Sequence, residues 1–420
     1  MTSLFGMPRE KGRWVFVVLG LIINLWLGTI YAWSIFVEPL TEYFTGSLGL
    51  AVTASDVLMP FTVYLVSIAL VMPFTGRIII DTLGPRNGAI AGGVLVGLGW
   101  ILASVSTSVP MLSVTYGVVG GIGEGLAYSV LVAVAACWFP DRRGLAVGIT
   151  ILGVGFSTFF TAHIADYLVG SFGVMNAFRV LGVLVIILIP LLALPLQFPA
   201  PGWVPEGWTS PRAKPGEGEP CTCSRSRMLR SSSFYGLWAC YFIGCLAGLM
   251  AISITRPVGA EVGVEAGLAT FLMGFFAIFN GFGRPFFGAL TDRVTPRNTA
   301  IGSFVLIAAA SLLMWQFPIV PVYILAFAVL WGCLGGWLAI APTATGSYYG
   351  TCDYPRCYGV VFLAYGAGAI AGPQLAGFFK TSTGSYIGVF PYVLALALVG
   401  SIIAFALLKP PEQGPCASEQ

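Results

Sequence analysis

From Trp14 to Leu408 the sequence is a succession of apolar runs, among them the uncharged stretch from Leu181 to Leu194. A helix that crosses a bilayer needs about 20 mostly apolar residues, and in lipid every backbone polar group must be satisfied inside the segment. The runs lack the alternation, in segments of about ten residues, of a transmembrane β-barrel. They predict an all-α membrane protein with twelve transmembrane helices, at 14–37, 57–76, 88–108, 112–137, 145–169, 179–198, 235–256, 267–290, 299–317, 321–346, 358–379 and 386–408. Only 9% of the 420 residues are charged, whereas an ordinary soluble domain carries roughly 25%. That shortage excludes a soluble enzyme, and a net charge of +3 without a basic stripe excludes a nucleic-acid binder. The first run is longer than a signal-peptide core and is expected to persist as a helix.

Lys and Arg give the orientation, because they concentrate on the cytoplasmic side of a membrane protein. Sixteen of the 20, from Arg9 to Lys409, fall on one side of a twelve-helix arrangement. Arg179, Arg256 and Lys380 fall on the other, and Arg284 lies inside a span. The asymmetry predicts a multi-pass protein of the cytoplasmic membrane with both termini in the cytoplasm. Residues 199–234 form the one long polar stretch, rich in Pro, Ser and basic residues, and are expected to be a linker. They divide the chain into halves of six helices, 1–198 and 235–409, followed by a tail at 410–420.

The halves echo each other. Asp81-x3-Pro85-Arg86 follows the second span and Asp292-x3-Pro296-Arg297 the eighth, 211 residues later. Arg143-Gly144 opens the fifth span and Tyr358-Gly359 the eleventh, 215 residues later. Parallel repeats of six helices point to a transporter whose site lies at the midplane between them. No Gly-x4-Gly-Lys-Ser/Thr nucleotide loop occurs, so the energy would come from gradients.

The loop ending Gly84-Pro85-Arg86, and Gly288-x3-Asp292-Arg293 in the second half, resemble the signature loops of the major facilitator superfamily. The first loop departs from that pattern, with Gly76 five residues before Asp81 and Arg77 at the usual glycine position. Tyr31-Ala-Trp33-Ser, Tyr128, Trp138-Phe-Pro-Asp-Arg-Arg-Gly-Leu-Ala146, Asn280-Gly-Phe-Gly-Arg284-Pro and Met228 to Trp238 resemble the oxalate:formate antiporter family, which borders the monocarboxylate transporters. The resemblance implies transport of small carboxylates by rocking of two halves, no enzymatic activity, no cofactor, and a monomer.

Arg284 is the strongest candidate for the substrate site. A guanidinium within a span is costly and usually faces a cavity or a partner, and its fork matches a carboxylate. The competing reading is a structural pair with Glu124. Asn280, one turn earlier on the same face, would bind substrate or orient the guanidinium. Glu124 is the proton-coupling candidate: a carboxyl competing with the substrate for Arg284 would exchange a proton as the anion comes and goes. A fixed ion pair, and no contact with Arg284, are its alternatives. The resemblance places the hydroxyl of Tyr128 at the substrate carboxylate. Tyr31, Trp33, Trp331, Trp337 and Tyr365 would wall the cavity or else pack in the core.

The oxalate exchangers of the family tend to carry a lysine where this chain has Tyr365. One cation suits an anion of single charge, so the expected substrate is a monocarboxylate such as lactate, pyruvate or formate. The expected mode is proton-coupled symport by alternating access, with oxalate:formate-type exchange as the alternative. A drug exporter and a non-transporting sensor are the remoter readings. Asp81, Arg86, Asp292 and Arg297 would bridge helix ends at a cytoplasmic gate. His163, the only histidine, would pair with Asp166 one turn on, as a structural or gating pair or a proton relay. A single histidine builds no His-based metal site, and the nine cysteines, their spacings poor for zinc, read as free thiols in a reducing compartment or as packing residues.

Overall fold

Helices form wherever the sequence is apolar, because a backbone without water must bond to itself. In the computed structural model, which describes residues 3–52, 54–57, 59–77, 82–200, 202–208, 225–350 and 354–410, they run as follows. In the first half lie α1 (Trp14–Leu27), α2 (Met59–Arg77), α3 (Gly84–Ala103), α4 (Gly121–Trp138), α5 (Arg143–Phe172) and α6 (Val174–Ala193). In the second lie α7 (Ser232–Glu261), α8 (Ala266–Arg293), α9 (Pro296–Gln316), α10 (Val320–Tyr349), α11 (Tyr354–Thr383) and α12 (Phe390–Leu407). A two-stranded hairpin, Ser3–Leu4 with Met7–Pro8, precedes them.

Among the described residues eleven spans are long and apolar enough to cross a membrane. The other long helix, α8, has 28 residues and carries Asn280 and Arg284 in its second half. Several helices outrun their apolar cores: α5, α7, α10 and α11 each have 30 residues, about 45 Å at 1.5 Å per residue. The expected helix at 14–37 is broken instead, by a 3-10 turn at Gly28–Ala32 before a second helix, Ser34–Glu42. Side chains compete for the carbonyls there: the Ser157 hydroxyl donates to Gly28 O at 2.6 Å and the Thr29 hydroxyl to Trp26 O at 2.7 Å.

The packing repeats after six helices. In the first half α1 packs on α5 and α3 on α6; in the second, α7 packs on α11 and α9 on α12. The halves meet along α2 with α11 and α5 with α8. At one end of these seams the backbones touch. A Cβ on Gly144 of α5 or on Gly288 of α8 would overlap the other's carbonyl, and one on Gly359 of α11 would overlap Met72 O of α2. The same end gathers both ends of the described chain and most of its basic residues. Arg13 forks onto Asp141 at 2.6 and 3.0 Å, and Ser233 donates to Lys409 O at 2.6 Å.

Candidate functional site

Arg284 projects from α8 across the seam. Its side chain is 1% exposed. One terminal nitrogen donates to the carbonyl of Ile151 on α5, and the other donates to Asn280 Oδ1 at 3.2 Å. Its Nε has no partner, and no carboxylate pairs with it among the described residues. Asn280 is held in turn, its Nδ2 donating to Trp331 O at 3.2 Å, so it orients the guanidinium. A buried, hydrogen-bonded cation without a counter-ion is expensive to maintain.

Three tyrosines lie within electrostatic reach of Arg284: Tyr31, Tyr128 and Tyr365. Tyr31, in the turn after α1, and Tyr365 on α11 bring their hydroxyls to 3.2 Å of each other across the two halves. Tyr128 on α4 is buried and its hydroxyl has no partner. These four residues and Asn280 form one constellation at the meeting of α1, α4, α8 and α11.

Glu124 borders it, within electrostatic reach of Tyr31 and Tyr128, but forms no ion pair with Arg284 among the described residues. Glycines at 121, 123 and 125 let α2 and α3 close on α4, and the carboxyl, 4% exposed, is bonded to the Tyr64 hydroxyl of α2. Its second oxygen has no partner, and neither does the nearby Tyr116 hydroxyl. The pair with Arg284 that one sequence reading required is not made.

The tryptophans divide. Trp331 faces the constellation through its carbonyl, while its Nε1 donates to Thr255 Oγ1 at 3.2 Å. Trp337 is buried against Phe304, 5.0 Å between ring centroids, and Gly244. Trp33 stacks on Tyr116 at 4.4 Å, neighbours Phe178, and donates from Nε1 to Val57 O. It packs inside the first half.

The gate residues take partners that side-chain pairing did not suggest. Asp292 at the end of α8 accepts from the backbone N–H of Gly144 at 2.8 Å and of Leu145 at 2.9 Å. It thus caps the first turn of α5 in the other half, where the helix dipole favours an anion. Arg297 lies over the Phe405 ring at 4.2 Å and Arg86 donates to Leu194 O, both within their own halves. Asp81 lies outside the described residues, as do Cys221, Cys223, Cys352 and Cys416. His163 and Asp166 are exposed and do not pair; the ring Nδ1 meets Phe159 O of its own helix at 2.9 Å. Among the described residues no cluster of His, Cys, Asp or Glu could hold a metal.

Sequence reasoning missed the Ile151 carbonyl, which has no signature, and three more buried tyrosines with unpartnered hydroxyls, Tyr241, Tyr354 and Tyr358. Tyr354, Tyr358, Phe362 and Tyr365 recur at helical spacing, a signal that was available.

Known proteins share this arrangement over nearly its whole length. The chain is 29% identical over 401 residues to an oxalate:formate antiporter from Oxalobacter formigenes, covering 94% of this chain and 90% of that one. It is 27% identical over 358 residues to monocarboxylate transporter 12 from Mus musculus, covering 80% and 74%. The fold of the transporter FucP in its outward conformation superposes with a TM-score of 0.71 at 16% identity, covering 93% of this chain and 97% of that one. The family model described as Major Facilitator Superfamily matches residues 14–345 and 237–419. With its six-helix packing repeat and its two glycine-lined seams, the chain belongs to the major facilitator superfamily and is related within it to the oxalate:formate antiporter and the monocarboxylate transporters.

Proposed function

We propose that the chain is a secondary active carrier of small carboxylate anions, working by alternating access and exchanging one anion for another. The observation that carries this reading is the charge of Arg284: buried, oriented by Asn280 and Ile151, and lacking a carboxylate partner among the described residues. The transported anion is its counter-ion. A guanidinium offers two parallel bonds to a carboxylate, and Nε is the donor still free. Tyr31, Tyr128 and Tyr365 supply hydroxyls around it, with Trp331 behind Asn280.

In this reading α8 is a twelfth span, the halves 1–198 and 235–409 rock about the two seams, and the basic end faces the cytoplasm with both termini. The closed seam at that end corresponds to an outward-facing state, with Asp292 as its latch. Exchange is preferred over proton-coupled symport for two reasons. The near-full-length relative of highest identity above is an antiporter. Glu124 is engaged with Tyr64 rather than competing for Arg284. An exporter of bulky apolar compounds would leave Arg284 uncompensated.

Labelled lactate, formate and oxalate, offered to proteoliposomes with or without internal carboxylate, test the mode. Exchange predicts uptake that requires internal anion and survives a protonophore. Uptake driven by an inward proton gradient into anion-free vesicles would instead establish symport and return Glu124 to the mechanism.

Two substitutions probe specificity. Asn280→Asp places a carboxylate one turn from Arg284, where it becomes the missing counter-ion. Affinity for external carboxylate should fall by at least roughly tenfold, about 1.4 kcal/mol, in a titration of intrinsic fluorescence. Tyr365→Lys adds a second cation. The ratio of oxalate to lactate transport should rise by about tenfold or more, since a dianion then meets two charges.

A further inference from the structure

Between Arg284 and the closed basic end lies a buried cluster of tyrosines, of which only Tyr128 also belongs to the binding site. Tyr354 and Tyr358 stand one turn apart on α11, their rings stacked at 5.8 Å. Tyr241 of α7 and Tyr128 of α4 turn their hydroxyls toward Tyr358. All four side chains are buried, and their hydroxyls approach one another without forming well-aligned hydrogen bonds. Buried hydroxyls so poorly satisfied are costly, so four in one place fit a polar occupant better than packing alone.

The cluster has a direction. Tyr365, beside Arg284, lies eleven residues from Tyr354 along α11, about 16 Å at 1.5 Å per residue. At its far end Tyr354 comes within electrostatic reach of Arg143, the first residue of α5. Arg143 is buried and lies against Gly346 of α10, so it too crosses between the halves. Its charge is felt by Asp292, the residue that caps α5 across the seam.

We infer that these tyrosines form the route by which the carboxylate travels between Arg284 and the basic end, with Arg143 as a second anion station. The inference rests on the carboxylate-carrier reading above. While the seam is closed, Asp292 sits beside Arg143 and offsets its charge. Opening draws α8 and Asp292 away from α5. Arg143 then attracts the anion leaving Arg284, and the phenol hydroxyls donate to it on the way. The occupant is a small carboxylate carrying water; a bulky apolar solute would gain nothing from four phenols and a guanidinium.

The test uses the full chain in proteoliposomes, with formate and lactate as probes. Tyr241→Phe, Tyr358→Phe and the double variant remove hydroxyls and keep the rings. The double variant should exchange about tenfold more slowly, an increment of about 1.4 kcal/mol in barrier. Its equilibrium affinity for carboxylate, titrated in detergent, should stay within roughly twofold because Arg284 is untouched. Arg143→Gln should slow exchange at least as much, and Arg143→Lys should restore most of the rate because the charge is kept. Wild-type exchange in the double variant would overturn the route, leaving the hydroxyls as hosts for water only. Affinity lost in parallel with rate would overturn it too, by placing these residues in the central site. If the wild-type protein moves no carboxylate at all, the carrier reading fails first and this inference falls with it.

Discussion

Arg284→Ala should abolish carboxylate exchange, lowering the rate per substrate concentration by at least about a hundredfold, or ~2.7 kcal/mol. Among the described residues the guanidinium is the one cation at the constellation of Tyr31, Tyr128, Tyr365 and Asn280, and no carboxylate pairs with it. Alanine removes both the charge that draws the anion in and the fork that orients it. Arg284→Lys is the sharper variant. An ammonium keeps the charge but cannot donate to Ile151 O and Asn280 Oδ1 in the planar geometry that leaves Nε for the substrate. Exchange should fall about tenfold or more, mainly through affinity. A lysine variant with wild-type kinetics would mean that the fork geometry is irrelevant. Folding is checked independently by size-exclusion profile and thermal midpoint.

Gly288→Val should hold the basic end open. A Cβ on Gly288 would overlap the carbonyl of Gly144, which is backbone and cannot swing aside. The clash exists only while α5 and α8 touch at that end, so the substitution destabilises one state of the rocking equilibrium and spares the other. A bias of about 3 kcal/mol shifts a two-state population by roughly a hundredfold. Exchange needs both states and should drop by at least about tenfold. Cys357, buried on α11 close to Tyr354, should meanwhile become reachable by a maleimide from the basic side. Asp292→Ala acts on the same equilibrium more gently. It removes two charge-assisted bonds to the first turn of α5, worth about 1–3 kcal/mol. Its labelling rate should fall between wild type and Gly288→Val.

Much of the architecture was legible in the sequence because lipid leaves a backbone so few choices. The apolar runs and the echo of Asp-x3-Pro-Arg follow from composition and spacing, and the helices lie where the runs are. The bounds moved where side chains intervened. Ser157 and Thr29 bond to carbonyls where α1 passes into a 3-10 turn, and Trp33 just beyond it packs inside the first half. Arg284 and Asn280 were legible as a pair, since one turn of helix separates them and polar residues in a span are rare. Their partners were less so. Asp292 was expected to meet an arginine and instead meets two backbone N–H groups, which every residue carries and no motif announces. Glu124 found Tyr64 rather than Arg284, because the glycines around it let α2 approach closely. His163 and Asp166 share a helix face, yet both remain exposed and apart.

The central idea is that the absent counter-ion of Arg284 is the transported carboxylate. Titration of the purified protein with formate, lactate and oxalate, followed calorimetrically, tests it most directly. Saturable binding of one carboxylate per chain, lost in Arg284→Ala while the thermal midpoint is kept, is the expected result. Undiminished carboxylate binding in that variant would contradict it and require the anion to be held elsewhere.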